Sequence, residues 1–295
     1  MKNRSAIAIF CAALGNIIWG FSFMLTKVGL SVASDPTVML AHRFLISTLV
    51  MGMILLFGKT KISFKNKDWK PIALLLILQV SYYLLETYGV LYTNSTISGL
   101  VLAVVPVVTI GTGILFLKEY PTRRQALFCI MPVAGVIIMT ISGSDLGVIT
   151  PIGIVFLLLT LLASAFFKTV NRRAAQQFSP FERTFMVLSV SAIFFTIMGM
   201  QKISWNVNTF VAPLMEAKYL ISVLSLSLLC SIGANMLVNF ATTHMSVFKV
   251  ASFGALSTLC STVAGILFLH EPVSVPLLIG AALILVGIRQ VSKPK

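Results

Sequence analysis

The heptapeptide GILFLKE at residues 113–119 returns as GILFLHE at 265–271, 152 positions later in a chain of 295 residues. Each copy closes a long apolar run. A repeat of about half the chain, made of such runs, restricts the fold to a membrane protein built from two related halves. Proteins of this construction are mainly transporters whose solute site lies between the repeats. The match continues without a gap, pairing Ala103 with Ala255 and Gly135 with Gly287. It fades toward the start of each half, where Asp35-Pro36 and Ser179-Pro180 are the only clear counterparts.

Lipid has to be the solvent for most of this chain. Apolar residues make up 58% and charged residues 10%, and the mean hydropathy is +0.99. Soluble domains carry roughly 25% charged residues, so no single globular core could absorb the excess. Ten runs are long enough to span, near 6–28, 38–57, 71–93, 95–117, 125–142, 150–170, 181–199, 218–240, 246–269 and 273–290. At about 20 residues each they leave no room for a soluble domain. The first run follows Lys2 and Arg4 as a signal peptide would, but it is too long for a signal core of about 7–15 residues and is read as an uncleaved span.

The net charge of +14 reports topology and not nucleic acid. With the N-terminus in the cytoplasm, 17 Lys and Arg fall on the cytoplasmic side and Lys27, Lys202 and Lys218 on the outer side, with Arg43 and Lys249 set aside as intramembrane or boundary residues. This is the positive-inside pattern, and it puts both termini in the cytoplasm. The basic cluster at 59–70 would also meet anionic head groups. Five spans per half make the second half enter with opposite orientation. The expected fold is therefore all-α, ten transmembrane helices as two inverted five-helix repeats, 1–145 and 146–295, joined by the short connection 142–147. The external connection 201–218, with Trp205 and Pro213, either covers the outer mouth or lies in the interface. Cys11, Cys129, Cys230 and Cys260 fall inside spans without metal spacing and read as packing residues.

Glu86 is the sharpest chemical feature. It lies well inside the third span, where a carboxylate costs about 2.5–3.5 kcal/mol on insertion scales and normally faces a cavity or a partner. An acid there suits a proton carrier or an anchor for a substrate ammonium. Gln79, Tyr82 and Tyr83 share its helix face by spacing. The eighth span carries Ser227, Ser231, Asn235 and Asn239 at intervals of four. The 152 offset maps Gln79 to Ser231, Tyr83 to Asn235 and Thr87 to Asn239, so two polar stripes on equivalent helices are expected to face each other. Glu86 maps to Val238, so the acid belongs to one half only. Polar residues in spans also serve as interhelical glue worth about 0.6 kcal/mol each. For the serines and asparagines, glue and cavity lining both stay open. Trp19 and Phe23 share a face of the first span with Asn16, Gly20 and Lys27, as a wall for an apolar solute group or as core. Asp35 stands where it could pair with Arg43. Lys168 and Lys249 read as interface anchors, and Glu119 and Glu271 as caps or loop ion pairs, Glu119 with Arg123 or Arg124.

Leu91-Tyr92-Thr93-Asn94-Ser95, Pro106 and the repeated heptapeptide together resemble the EamA-type module of the drug/metabolite transporter superfamily. Trp19-Gly20, Lys27 and Arg43 add to the likeness, which covers essentially the whole chain. The resemblance implies a small-metabolite exporter of the bacterial inner membrane, with amino acids or related amphipathic compounds as cargo. It makes Lys27 and Arg43 candidate gate charges and Pro106 a kink in the fourth span. A homodimer through the fifth and tenth spans would follow by analogy. Two departures stand out: Thr258 replaces the proline in the second module, and Glu86 stands where the family has an aromatic or apolar residue.

No catalytic motif, nucleotide-binding loop or metal-ligand cluster occurs in the sequence, so the chain reads as neither an enzyme nor a holder of a cofactor. Energy for transport would come from the solute gradient or a coupled ion. The expected site comprises Trp19, Phe23, Gln79, Tyr82, Tyr83, Glu86, Ser231, Asn235 and Asn239, with Glu86 also a proton-coupling candidate. The partners are a small metabolite and the lipid bilayer. The rivals are a proton-driven uptake permease of the same fold and a lipid-handling membrane protein with a lateral groove.

Overall fold

The computed structural model describes residues 2–33, 35–58, 62, 67–92, 101–102, 104–141, 150–260, 263 and 275–292. The side chains of residues 2, 3, 23, 24, 27, 87, 90, 91 and 139–141 lie outside that description. So do the second heptapeptide with Glu271 and most of the basic cluster.

All regular structure among the described residues is helical. The helices are α1 (Lys2–Leu30), α2 (Pro36–Phe57), α3 (Lys70–Leu91), α4 (Val105–Leu117), α5 (Arg123–Ile141), α6 (Pro151–Ala174), α7 (Pro180–Lys202) and α8 (Val207–Val211). After them come α9 (Ala217–His244), α10 (Val247–Cys260) and α11 (Val275–Ser292). Among the described residues six of these are long and apolar enough to cross a bilayer: the 4–22 stretch of α1, and α2, α6, α7, α9 and α11, while α4 and α10 are shorter apolar helices.

Local chemistry explains where the helices begin. Proline opens α2, α6 and α7, at a position whose N–H has no intrahelical partner anyway. The residue before each proline caps the helix. Asp35 accepts from the Thr37 N–H at 2.7 Å and Thr150 from Gly153 at 3.3 Å, and Ser179 forms a reciprocal capping box with Glu182. Asp35-Pro36 and Ser179-Pro180 are thus equivalent helix starts in the two halves. The expected Asp35–Arg43 pair does not form, because the carboxylate is committed to the cap.

The helices pack as a pseudo-symmetric set. With α1, α2, α3, α4 and α5 matched to α6, α7, α9, α10 and α11, the α5–α11 and α2–α7 pairs map onto themselves. The α3–α6 contact has its image in α9–α1, α3–α7 in α9–α2, and α4–α5 in α10–α11. Individual atoms repeat the relation at the α5–α11 crossing. A Cβ on Gly135 would meet Ile284 Cγ1 at 2.9 Å, and a Cβ on Gly287 would meet Pro132 Cδ at 2.5 Å. Position 135 plus 152 is 287, and 132 plus 152 is 284, so these are one contact seen twice.

Outward faces are apolar. On α6, Ile152, Val155, Leu159 and Leu162 are exposed at helical spacing, while Leu157, Thr160, Leu161, Ser164 and Ala165 point inward. Exposed apolar bands of this extent call for lipid contact. At one end, α8 and the tight turn Ala212–Met215 lie over α2, with Phe210 edge-on to His42 at 4.4 Å between centroids. The connection 201–218 therefore covers the end of α2 and α9.

In the fourth span, residues 101–102 are helical, Val104 forms a turn, and α4 begins at Val105 with Pro106 in its first turn, so the described part of the span changes its helical geometry just before Pro106. α10 is also interrupted, at Phe253-Gly254, without any proline.

Candidate functional site

The middle of α9 departs from α-helical geometry. Leu226–Ala234 forms a π-helix, a rare local form that recurs at functional sites. Its polar residues reach neighbouring helices. Ser231 Oγ accepts from Arg43 Nε at 2.7 Å. Ser227 Oγ donates to the Arg43 carbonyl at 2.9 Å, and Ser47 Oγ donates to the Ser227 carbonyl at 3.2 Å. Trp19 Nε1 donates to the Cys230 carbonyl at 3.1 Å, which fixes the indole beside this segment. Arg43 is 7% exposed. It belongs to the interior, half-way along α9, and not to the end of its own helix.

On α3, Tyr82 OH donates to Glu86 Oε1 at 2.7 Å. Gln79 is buried and shares a hydrogen bond with Tyr83. The Tyr83 ring packs edge-on to Tyr82 at 5.3 Å and to Phe44 at 5.1 Å between centroids. Arg43 and Cys230 lie within electrostatic range of Tyr83, and Arg43 within range of Glu86. Tyr82, Tyr83 and Glu86 are half-buried. α3 and α9 make no extended backbone contact with each other, and Arg43 from α2 lies between them. Asn235, half-buried, bonds back to the Ser231 carbonyl at 2.9 Å.

The structure thus brings together Trp19, Arg43, Gln79, Tyr82, Tyr83, Glu86 and Ser231, while among the described residues Asn235 bonds only to its own helix backbone. Asn239 goes elsewhere. Its Oδ1 accepts from Asn171 at 2.7 Å and its Nδ2 donates to Thr184 at 2.8 Å. Its carbonyl accepts from Arg183 Nη2 at 2.8 Å. Arg183, 0% exposed, also reaches Asn171 Oδ1 at 2.6 Å and Thr243 Oγ1 at 2.7 Å. One turn further on, Arg172 donates to the carbonyls of Thr242 and Thr243, both at 2.8 Å, where the end of a helix favours cations. Arg172 also pairs with Glu119 at 2.8 Å, and Glu119 Oε2 accepts the Val247 N–H at 2.7 Å. Glu119 is therefore both ion pair and cap, as expected, but its partners are Arg172 and α10 instead of Arg123 or Arg124. This second cluster pins the α9–α10 corner to α4, α6 and α7.

Sequence reasoning missed two cations. Arg183, three residues into α7, is one of the 17 charges that the sequence assigns to the cytoplasmic side, with nothing to single it out. Lys168 passed as an interface anchor. It is half-buried on the face of α6 that carries the buried Thr160 and Ser164, with Nζ 3.5 Å from Ser164 Oγ. The signal for Lys168 was its spacing of four from Ser164 and eight from Thr160.

Two concavities lie outside the central cluster. One, about 430 Å³, is bordered by Lys118, Glu119, Gln125, Ser246 and Lys249 beside the α9–α10 corner. The other, about 320 Å³, is an apolar groove between α3 and α7 that includes Trp69, Leu76, Phe185 and Ser189.

A multi-pass helical protein in which two matched sets of helices direct polar side chains at a shared interior has the construction of a membrane carrier. The chain belongs to the EamA-like transporter family, whose pattern matches residues 6–141 and again 151–292. It is 29% identical over 292 residues to the uncharacterized transporter YcxC of Bacillus subtilis (strain 168), covering 98% of this chain and 93% of that one. It is 26% identical over 289 residues to the uncharacterized transporter YvbV of the same organism, covering 97% and 91%. A protein of known crystal structure superposes with a TM-score of 0.77 at 15% identity, over 96% of this chain and 95% of its own, a likeness of fold.

Proposed function

We propose that the protein is a secondary transporter of the bacterial inner membrane. It exports small metabolites, amino acids or related amphipathic compounds, by alternating access between two inverted five-helix halves, 1–145 and 146–295. Both termini are cytoplasmic in this reading, and the ten-span count includes segments beyond the described residues. The observation that supports the proposal is the central cluster: Arg43 from one half bonds Ser231 from the other, and the Tyr82–Glu86 hydrogen bond and the Tyr83 ring of the first half join the same region through Phe44. Charges at that depth are costly and are normally kept for a solute or ion path. Glu86 holds a substrate ammonium or carries the coupling proton.

Counterflow in proteoliposomes tests this, with labelled amino acids and Glu86→Gln beside wild type. Uptake against loaded liposomes by wild type supports a carrier. If Glu86→Gln keeps exchange but loses pH-driven accumulation, Glu86 carries the proton. Absence of counterflow for every amino acid, with the protein folded, would remove this cargo class. The apolar groove between α3 and α7 favours a second reading, a protein that holds or moves lipid. That reading predicts lipid scrambling without solute-induced thermal shift.

A further inference from the structure

The two charged side chains of the central cluster are each only half satisfied. Arg43 uses Nε on Ser231 Oγ. Among the described residues its two terminal nitrogens have no hydrogen-bond acceptor, and no carboxylate lies within 4.0 Å of it. Glu86 uses Oε1 on Tyr82, and among the described residues Oε2 has no donor. Arg43 is more than nine-tenths buried. A guanidinium held away from bulk water without a counter-ion is unfavourable, and among the described residues no ion pair joins it to Glu86. Arg43 Cζ lies 5.7 Å from the Phe44 ring, Phe44 packs on Tyr83 and Tyr83 on Tyr82, so a continuous row of rings leads from one half-satisfied charge to the other.

Resting on the carrier reading above, we infer that Arg43 and Glu86 form a two-ended clamp for a zwitterion, Arg43 taking the carboxylate and Glu86 the ammonium. The free edge of the Arg43 fork matches a carboxylate bidentately. Ser231 orients that fork from the other half, and Tyr82 orients Glu86 one helical turn away. Tyr83 and the immobilised Trp19 ring, both half-buried, are placed to take an apolar side chain. A solute lacking either charge leaves one buried ion unpaired, and sites of this kind discriminate by about 100-fold or more. This makes Arg43 a ligand-binding residue instead of a gate.

The test uses the full chain in proteoliposomes. Counterflow across the twenty standard amino acids identifies the best-exchanged one. Its decarboxylated amine and its deaminated acid are then compared with it as competitors, and each is also scored by thermal shift in detergent. Wild type should prefer the zwitterion over both analogues by about 100-fold or more. Arg43→Gln should lose the preference over the amine while keeping that over the acid, and Glu86→Gln should do the reverse. A merely structural role for either residue would lower all three ligands together, and would overturn the clamp. So would folded variants that keep the wild-type ranking. Counterflow of a non-zwitterionic solute, with none for any amino acid, overturns the clamp and leaves the carrier standing. Absence of counterflow and of thermal shift for every solute overturns both.

Discussion

Arg183 Nη2 donates to the main-chain carbonyl of Asn239 at 2.8 Å, so a fully buried cation on α7 holds the backbone of α9 directly. The same guanidinium serves Asn171 and Thr243, while its Nε has no acceptor. Removing it strands several buried acceptors at once. Arg183→Met should cost about 3–5 kcal/mol, the range for breaking a buried charged network on one side, whereas Arg173→Met, at an exposed position, should stay within about 0.5 kcal/mol. Thermal unfolding in detergent measures both.

The Gly135 and Gly287 contacts are images of one another, so they should answer alike to the same insult. Gly135→Val and Gly287→Val each force side-chain atoms into a neighbouring helix and should each destabilise by about 1–3 kcal/mol. Gly52 and Gly111 meet nothing within 4 Å. Alanine at either should be neutral or stabilising by about 0.5–1 kcal/mol, because glycine weakens helix interiors. Unequal effects at 135 and 287 would show that the repeat is not a packing symmetry.

The features legible in the sequence were those written in covalent spacing. The 152 offset that joins two heptapeptides also joins the Gly135 and Gly287 contacts, and the Asp-Pro and Ser-Pro pairs proved to be matching helix starts. The interval of four along Ser227, Ser231, Asn235 and Asn239 was misleading, because it assumes a uniform helix. Leu226–Ala234 bonds from i to i+5, which changes the face that each residue presents. Ser231 meets α2, Asn235 stays half-buried, and Asn239 closes onto α6 and α7. No residue type announces a π-helix. Arg183 and Lys168 were hidden for a different reason, since counting charges by side of the membrane says nothing about which face of a helix carries them.

Glu119 joins three helices through two oxygens, one on Arg172 and one on the Val247 N–H. The two roles separate by substitution. Glu119→Gln keeps an acceptor for the cap and loses the ion pair, and Glu119→Ala loses both. Loss of a helix cap costs about 1 kcal/mol, so the alanine variant should unfold at a lower temperature than the glutamine variant by about that free energy. Equal melting temperatures would show that the cap contributes nothing.

Lys168 sets stability against function. The residue is half-buried, its one hydrogen bond among the described residues is to a hydroxyl at 3.5 Å, and among them no carboxylate lies within 4.0 Å. A half-buried charge so poorly compensated is a net cost to the fold, and exchanging buried ionic groups for apolar ones of similar shape stabilises other proteins by about 1–4 kcal/mol. Lys168→Met should therefore raise the melting temperature. A costly charge on an inward face is retained where activity needs it, so the same variant should lose counterflow activity by about 10-fold or more, the effect of losing one charged contact of roughly 1.5–3 kcal/mol. Lys168→Arg, which keeps the charge, should restore part of the activity without the gain in stability. If Lys168→Met is both more stable and fully active, the lysine is a passive occupant of the interior; if it is less stable, the amine has a partner in the folded protein that outweighs its burial.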